Sequence, residues 1–187
     1  MKKTRWREDN HRLVEPHLQD NDAIIYDIGA GQKPIHFRGK YVNVDWQPPA
    51  DIICNLIEPW PIQNGVADIV LMTNFLEHIP EPFFIIREAS RILKKGGKIV
   101  GTVPFVRDLH QMPHDYLRYT ESMLKYLLKD FSQIEVMPMG NGMKIANEIY
   151  WSKENGIIKK IFLRLNKFMN NNSRPDFPEG YFFSAIK

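Results

Sequence analysis

Cysteine is nearly absent. Cys54 is the single one in 187 residues, which excludes an intramolecular disulfide framework and any cysteine-based structural zinc site and fits a reducing compartment. Long apolar runs are missing as well. No stretch approaches the ~18 apolar residues of a spanning helix, and the N-terminal MKKTRWREDN stays polar where a signal peptide needs an apolar segment. The expectation is a cytoplasmic protein. Excess charge is also lacking: 25 Lys and Arg against 22 Asp and Glu leave a net +3, too little to establish binding to nucleic acid or acidic lipid. Internal repeats and low-complexity segments are absent, so solenoid architectures are excluded. What is present is ordinary: 43% hydrophobic and 25% charged residues describe a folded chain, and its length favours one domain over residues 1–187.

Strand and helix patterns alternate along the chain. AIIYDI (Ala23 to Ile28), YVNVD (Tyr41 to Asp45), ADIVLM (Ala67 to Met72) and KIVGTV (Lys98 to Val103) have the continuous apolar character of parallel strands covered on both faces. EPFFIIREASRILKKGG places Ile85, Ile86, Ala89, Ile92 and Leu93 at helical spacing, with Pro82 at its start, Lys94 and Lys95 in the last turn and Gly96 or Gly97 as the stop. A second helix is expected after Thr120 as N-cap, then a strand from Phe131 to Met137. YFFSAI (Tyr181 to Ile186) is expected to return as an edge strand. This order gives a doubly wound α/β sheet.

In YDIGAGQKP, Asp27 ends a strand, and Gly29 and Gly31 follow. Backbone N–H groups can then approach a ligand without Cβ interference. A dinucleotide fold wants a third glycine where Pro34 stands, which disfavours a nicotinamide-dependent dehydrogenase. Asp45 ends the second strand, 18 residues on, where its carboxylate can accept from both hydroxyls of a ribose. The alternatives are a plain tight turn for the glycines and a turn opened by Asp45 at DWQPP.

The ordered series YDIGAG, NVD, DIICNL, ADIVLMTNFLEHIPEP and REASRILKKGGKIVGTVP resembles the class I S-adenosylmethionine-dependent methyltransferases over about residues 23–137. It is most similar to a branch (methyltransferase type 11) with an LEHIP segment, and PFVRDLHQMPHDYLRYT is similar to a segment of methyltransferases associated with glycan assembly. The resemblance implies a mostly parallel seven-stranded sheet in a three-layer α/β/α sandwich, with S-adenosylmethionine as cofactor. It implies that Asp27, Gly29 and Gly31 surround the methionine moiety, that Asp45 holds the ribose and that Trp46 packs beside the adenine. Asn55 and Leu56 fall at the adenine amino group, where the family has Asp followed by Leu. Asn74 falls beneath the transferring methyl, with Glu77 and His78 close behind.

Methyl transfer to a hydroxyl needs an aligned acceptor and a base that removes the proton. His110, His114, Asp115, Tyr116 and Arg118 lie within nine residues after the fourth long strand. His110 and His114 are the candidate bases, and Asp115 an orienting group or alternative base. His78, Tyr116 and Arg118 are the candidate acceptor-binding residues. The competing reading is a structural lid in which Arg118 pairs with Asp115 and the histidines cap backbone groups. A metal held by His110, His114 and Asp115 lacks a closed ligand set, and no metal is expected.

A helical elaboration is expected over about residues 142–170 and a final strand over about 180–187. Between Lys153 and Arg174 six cations face one carboxylate, Glu154, a local balance of +5. An amphipathic helix there either packs on the domain or rests on an anionic membrane; nucleic acid is not the expected partner. The expected activity is O-methylation of a sugar, glycan intermediate or small molecule. Its rival is a non-catalytic S-adenosylmethionine-binding or scaffold protein.

Overall fold

In a computed structural model of the chain the described residues are 5–31, 37–111, 114–152, 161, 164 and 175–187. The chain runs α1 (Arg5–Val14), a 3-10 turn (Glu15–Leu18), β1 (Ile24–Ile28), β2 (Lys40–Asp45), β3 (Ile52–Ile53), β4 (Ala67–Thr73), a 3-10 turn (Leu76–His78), α2 (Pro82–Ile92), β5 (Leu93–Pro104), α3 (Glu121–Leu127), β6 (Ser132–Met139), α4 (Gly142–Ser152) and β7 (Gly180–Ile186). The seven strands form one sheet in the order β3-β2-β1-β4-β5-β7-β6. Pairings from β3 through β5 are parallel, and β7 is antiparallel to both β5 and β6.

β4 shows why the sheet is buried on both faces. Its side chains alternate: Ile69 and Leu71 join Val14, Leu18, Ile25 and Phe182 on one side. Val70 and Met72 join Ile85, Ala89, Ile92 and Leu124 on the other. The first set lies under α1, the second under α2 and α3, which makes three layers. On α2, Ile85, Ala89 and Ile92 are fully buried, so truncating any of the isoleucines to alanine removes about 2–5 kcal/mol.

Two expectations are corrected, and one short strand had not been read. Lys94 and Lys95 are not in the last turn of α2: Leu93 turns extended (φ −67°, ψ 138°) and the helix ends at Ile92, leaving both lysines in β5. There Lys94 reaches across to Asp68 at 2.7 Å. β7 is not an edge strand; its apolar run is flanked by β5 and β6, which is why Tyr181 through Ala185 are all buried. β3, two residues long, carries too little pattern to be read as a strand. Thr120 caps α3 as expected, its side chain accepting from Met123 N–H at 3.2 Å. Pro34 and nearly all of 153–174 lie outside the described residues; of the expected elaboration at 142–170, α4 is described.

Candidate active site

The site forms at the carboxyl ends of β1, β2 and β4, and the glycine turn starts it. Gly29 has φ +70° and Gly31 φ +61°, left-handed geometry that other residues rarely adopt. Gly29 N–H donates to the Val44 carbonyl at 2.8 Å, pinning the turn to β2. A Cβ on Gly29 would stand 2.2 Å from the Phe75 ring, whereas one on Gly31 would meet nothing within 4 Å. The first glycine is required by packing, and the second borders open space.

Asp45 holds the turn from the other strand. Its Oδ2 accepts from Gly31 N–H at 3.0 Å and its Oδ1 from Trp46 N–H at 2.7 Å. Two backbone donors fix the carboxylate and leave further acceptor capacity on each oxygen. The turn and Asp45 open onto a cavity of about 390 Å³, within the range of small-molecule sites. Gly29, Gly31, Asp45, Trp46, Asn55, Leu56, Asn74, Phe75, His78, His114 and Tyr116 all line it. Trp46 and Ile57 are more than half exposed on this lining, flat apolar surface suited to covering a planar base. Asn74 enters with φ +52°, a conformation asparagine tolerates, while its N–H donates to the Thr102 carbonyl at 2.8 Å.

Four expected site residues are absent from the lining: Asp27, His110, Asp115 and Arg118. Asp27 is buried beneath the turn, where Oδ2 accepts from the Tyr41 hydroxyl at 2.8 Å and Oδ1 has no hydrogen-bond partner among the described residues. Burial above all, with the neighbouring Asp45 adding, pushes its pKa up to about 7 against the lowering from Tyr41. Arg118 is committed to Asp115, through Nη1 to Oδ1 and through Nη2 to Oδ2 at 2.7 Å, and also donates to the Leu117 carbonyl. That pairing, first of all, drops Asp115 to about 2, so Asp115 orients the loop and is too weak a base to take a proton near neutrality. Asn55 lines the cavity, but its amide oxygen accepts from Ile57 N–H at 3.3 Å and its Nδ2 donates to Glu58 at 2.9 Å.

The histidines divide by position. His114 lines the cavity, its ring tilted against Tyr116 with centroids 5.4 Å apart. His110 lies outside the lining, edge-on to His78 at 5.1 Å. The Glu77 carboxylate above all raises the His110 pKa, against the lowering from partial burial; the Asp108 carbonyl and Asp115 add to the rise. At 3.8 Å from Nε2, Glu77 is beyond hydrogen-bond range and acts through space. The Glu77 carbonyl accepts from Tyr116 and Leu117 N–H at 2.8 and 3.2 Å, which seats the 114–118 loop on the LEHIP turn. Gln47, Ile57, Phe75, Ile79 and Pro80 complete the lining without having been singled out. Nothing in their spacing marked them, because only the fold brings them to the edge.

A cavity at the carboxyl edge of a mostly parallel sheet, with a glycine turn and an acidic residue ending the next strand, defines an α/β protein built to hold a nucleoside. Residues 18–101 match the family model described as a methyltransferase domain. The match spans less than half of the chain, and over it the sequence is similar to S-adenosylmethionine-dependent methyltransferases, whose cofactor is S-adenosylmethionine. A ubiquinone biosynthesis O-methyltransferase of Xanthomonas oryzae pv. oryzae is 41% identical over 51 residues, 27% of this chain and 19% of that protein's length. Two solved structures share the fold. A SAM-dependent methyltransferase from Archaeoglobus fulgidus has a TM-score of 0.62 at 18% identity, covering 95% of this chain and 91% of that one. The Haemonchus contortus phosphoethanolamine N-methyltransferase 2 in complex with S-adenosyl-L-methionine has a TM-score of 0.62 at 18% identity, covering 98% and 52%.

The residues present fit this cofactor. Asp45 offers spare carboxylate lone pairs for ribose hydroxyls, Trp46 and Ile57 a surface for adenine, and Gly31 the open approach that a Cβ would narrow.

Proposed function

We propose that the protein transfers a methyl group from S-adenosylmethionine to a hydroxyl oxygen of a small molecule or of a sugar in a glycan intermediate, with His114 as general base. One observation carries this reading: a single cavity is lined both by Asp45 and Trp46 and by His78, His114 and Tyr116. Cofactor and acceptor can therefore meet inside it. Oxygen as the acceptor atom is supported by the O-methyltransferase named for the Xanthomonas relative.

When bound, the cofactor supplies an electrophilic methyl on sulfur. The chain's own work is alignment and proton removal. Asp45 accepts the ribose hydroxyls, Trp46 and Ile57 cover the base, and Tyr116 and His78 wall the acceptor. His114 takes the hydroxyl proton, held in place by a loop that Asp115 and Arg118 brace.

The test is labelled methyl transfer to a panel of phenols, sugars and sugar derivatives. His114→Ala should lower turnover about 100-fold, the usual contribution of a positioned base, while cofactor affinity stays unchanged. Unaltered turnover would remove the base assignment. Cofactor binding without transfer to any acceptor would favour the non-catalytic binder.

A further inference from the structure

His78 on the cavity lining converges with two side chains behind it, Glu77 and His110, that the proposed base does not use. Glu77 is fully buried, and neither carboxylate oxygen has a hydrogen-bond partner among the described residues. Its Oε1 lies 3.8 Å from His78 Nε2 and 3.8 Å from His110 Nε2, and the three ligand atoms all fall within 4.8 Å of one another. A buried carboxylate without a partner is costly. Such a group persists where something other than the protein's own donors satisfies it.

The tautomers of both histidines follow from their other nitrogens. His78 Nδ1 is 2.5 Å from the His114 carbonyl oxygen, and His110 Nδ1 is 3.2 Å from the Asp108 carbonyl oxygen. A carbonyl can only accept, so each Nδ1 carries hydrogen and each neutral ring presents a bare lone pair on Nε2. Both lone pairs face the unpartnered Glu77 oxygen. A backbone carbonyl that fixes one ring nitrogen so that the other is free to ligate is the usual support of a metal-binding histidine.

We propose that Glu77 Oε1, His78 Nε2 and His110 Nε2 hold a divalent first-row transition cation where His78 reaches the cavity lining. Two imidazoles and one carboxylate suit zinc, cobalt or manganese better than magnesium or calcium, which favour all-oxygen sets. Bonds of ~2.0–2.1 Å in a tetrahedral site set ligand atoms about 3.3 Å apart, so each 3.8 Å gap closes by about half an ångström. Three protein ligands leave a position open.

The role of the cation rests on the O-methyl transfer proposed above. The acceptor hydroxyl takes the open position, where coordination lowers its pKa. Its proton leaves to His114, the oxygen–methyl bond forms and the sulfur–methyl bond breaks. Acceptors with a second oxygen beside the reacting one, such as vicinal diols or catechols, chelate and are favoured.

The experiment is titration of chelator-treated full-length protein with cobalt(II), followed by its visible absorption, with zinc(II) competition. The expected result is saturation at about one cobalt per chain, displaced by zinc. Glu77→Gln and His110→Ala should each weaken binding about 10–100-fold. Asp45→Ala should keep cobalt binding while losing the cofactor, which separates this proposal from the methyltransferase reading. Should Glu77→Gln fail to fold, His110→Ala, on the half-exposed loop, carries the test. Absence of cobalt binding in protein that still binds S-adenosylhomocysteine overturns the proposal, as does equal affinity in the folded variants.

Discussion

Gly31 N–H donates to the Asp45 carboxylate at 3.0 Å, tying the turn after β1 to the end of β2 on the lining of the cavity. The bond aims Asp45, and Trp46 N–H on the other oxygen completes its orientation. Charge-assisted bonds to two ribose hydroxyls contribute about 1.5–3 kcal/mol each. Asp45→Ala should therefore weaken S-adenosylhomocysteine binding at least ~30-fold by calorimetry, and Asp45→Asn less. Equal affinity in Asp45→Ala would overturn the ribose assignment.

The two glycines should respond differently to alanine. At Gly29 the added Cβ meets Phe75 at 2.2 Å as well as the left-handed φ, so Gly29→Ala should cost about 3 kcal/mol of stability. Phe75→Leu in that background should recover part of the loss. At Gly31 the space is open, and only conformational strain of about 1 kcal/mol applies. Thermal melts of the three variants check this; equal melting of Gly29→Ala and wild type would contradict it.

Buried Asp27 should make stability depend on pH. Its folded pKa is about 7 against 3.8 for a free aspartate side chain, so below the unfolded value both states are protonated and the stabilisation is full. As pH rises through the folded pKa, the folded state no longer holds a proton that the unfolded state has already released, and the contribution is lost. Relative to Asp27→Asn, wild type should lose on the order of a few kcal/mol between about pH 4 and about pH 8 in urea unfolding. Parallel stability profiles for the two proteins would rule this out.

Arg91 ties α2 to the loop before β4. Its guanidinium donates to the Ile62 carbonyl at 2.6 Å, Asn64 Oδ1 at 2.7 Å, the Trp60 carbonyl at 3.1 Å and Glu88 at 2.7 Å. Arg91→Ala strands these acceptors and leaves the Glu88 carboxylate with the Trp60 N–H but without its bonded cation, at about 3 kcal/mol. Lysine cannot replace the fork, so Arg91→Lys should recover little of the midpoint shift. A lysine variant as stable as wild type would show that a point charge suffices.

The parts legible in the sequence were those with local cause. β1, β2 and β4 announced themselves as apolar runs, Thr120 as a cap, and Gly29, Gly31 and Asp45 through their places at strand ends. The position of β7 was not legible, because an apolar run does not say which neighbours it pairs with. The end of α2 was misplaced because the lysines after Ile92 read equally well as a helix's final turn. Within the 108–118 cluster the residue types were visible but not their division of labour: only the folded loop puts His114 on the cavity, His110 behind it and Arg118 on Asp115. Glu77 stood in plain view in LEHIP. Its complete burial depends on the 114–118 loop folding over it, which no spacing reveals.

The most direct measurement is calorimetric titration of the folded protein with S-adenosylmethionine and, in parallel, with NAD. The account predicts saturable one-site binding of S-adenosylmethionine and none of NAD, since the turn lacks the third glycine that a pyrophosphate needs. A folded sample that gives no binding heat with S-adenosylmethionine at several temperatures, or that prefers NAD, would contradict it.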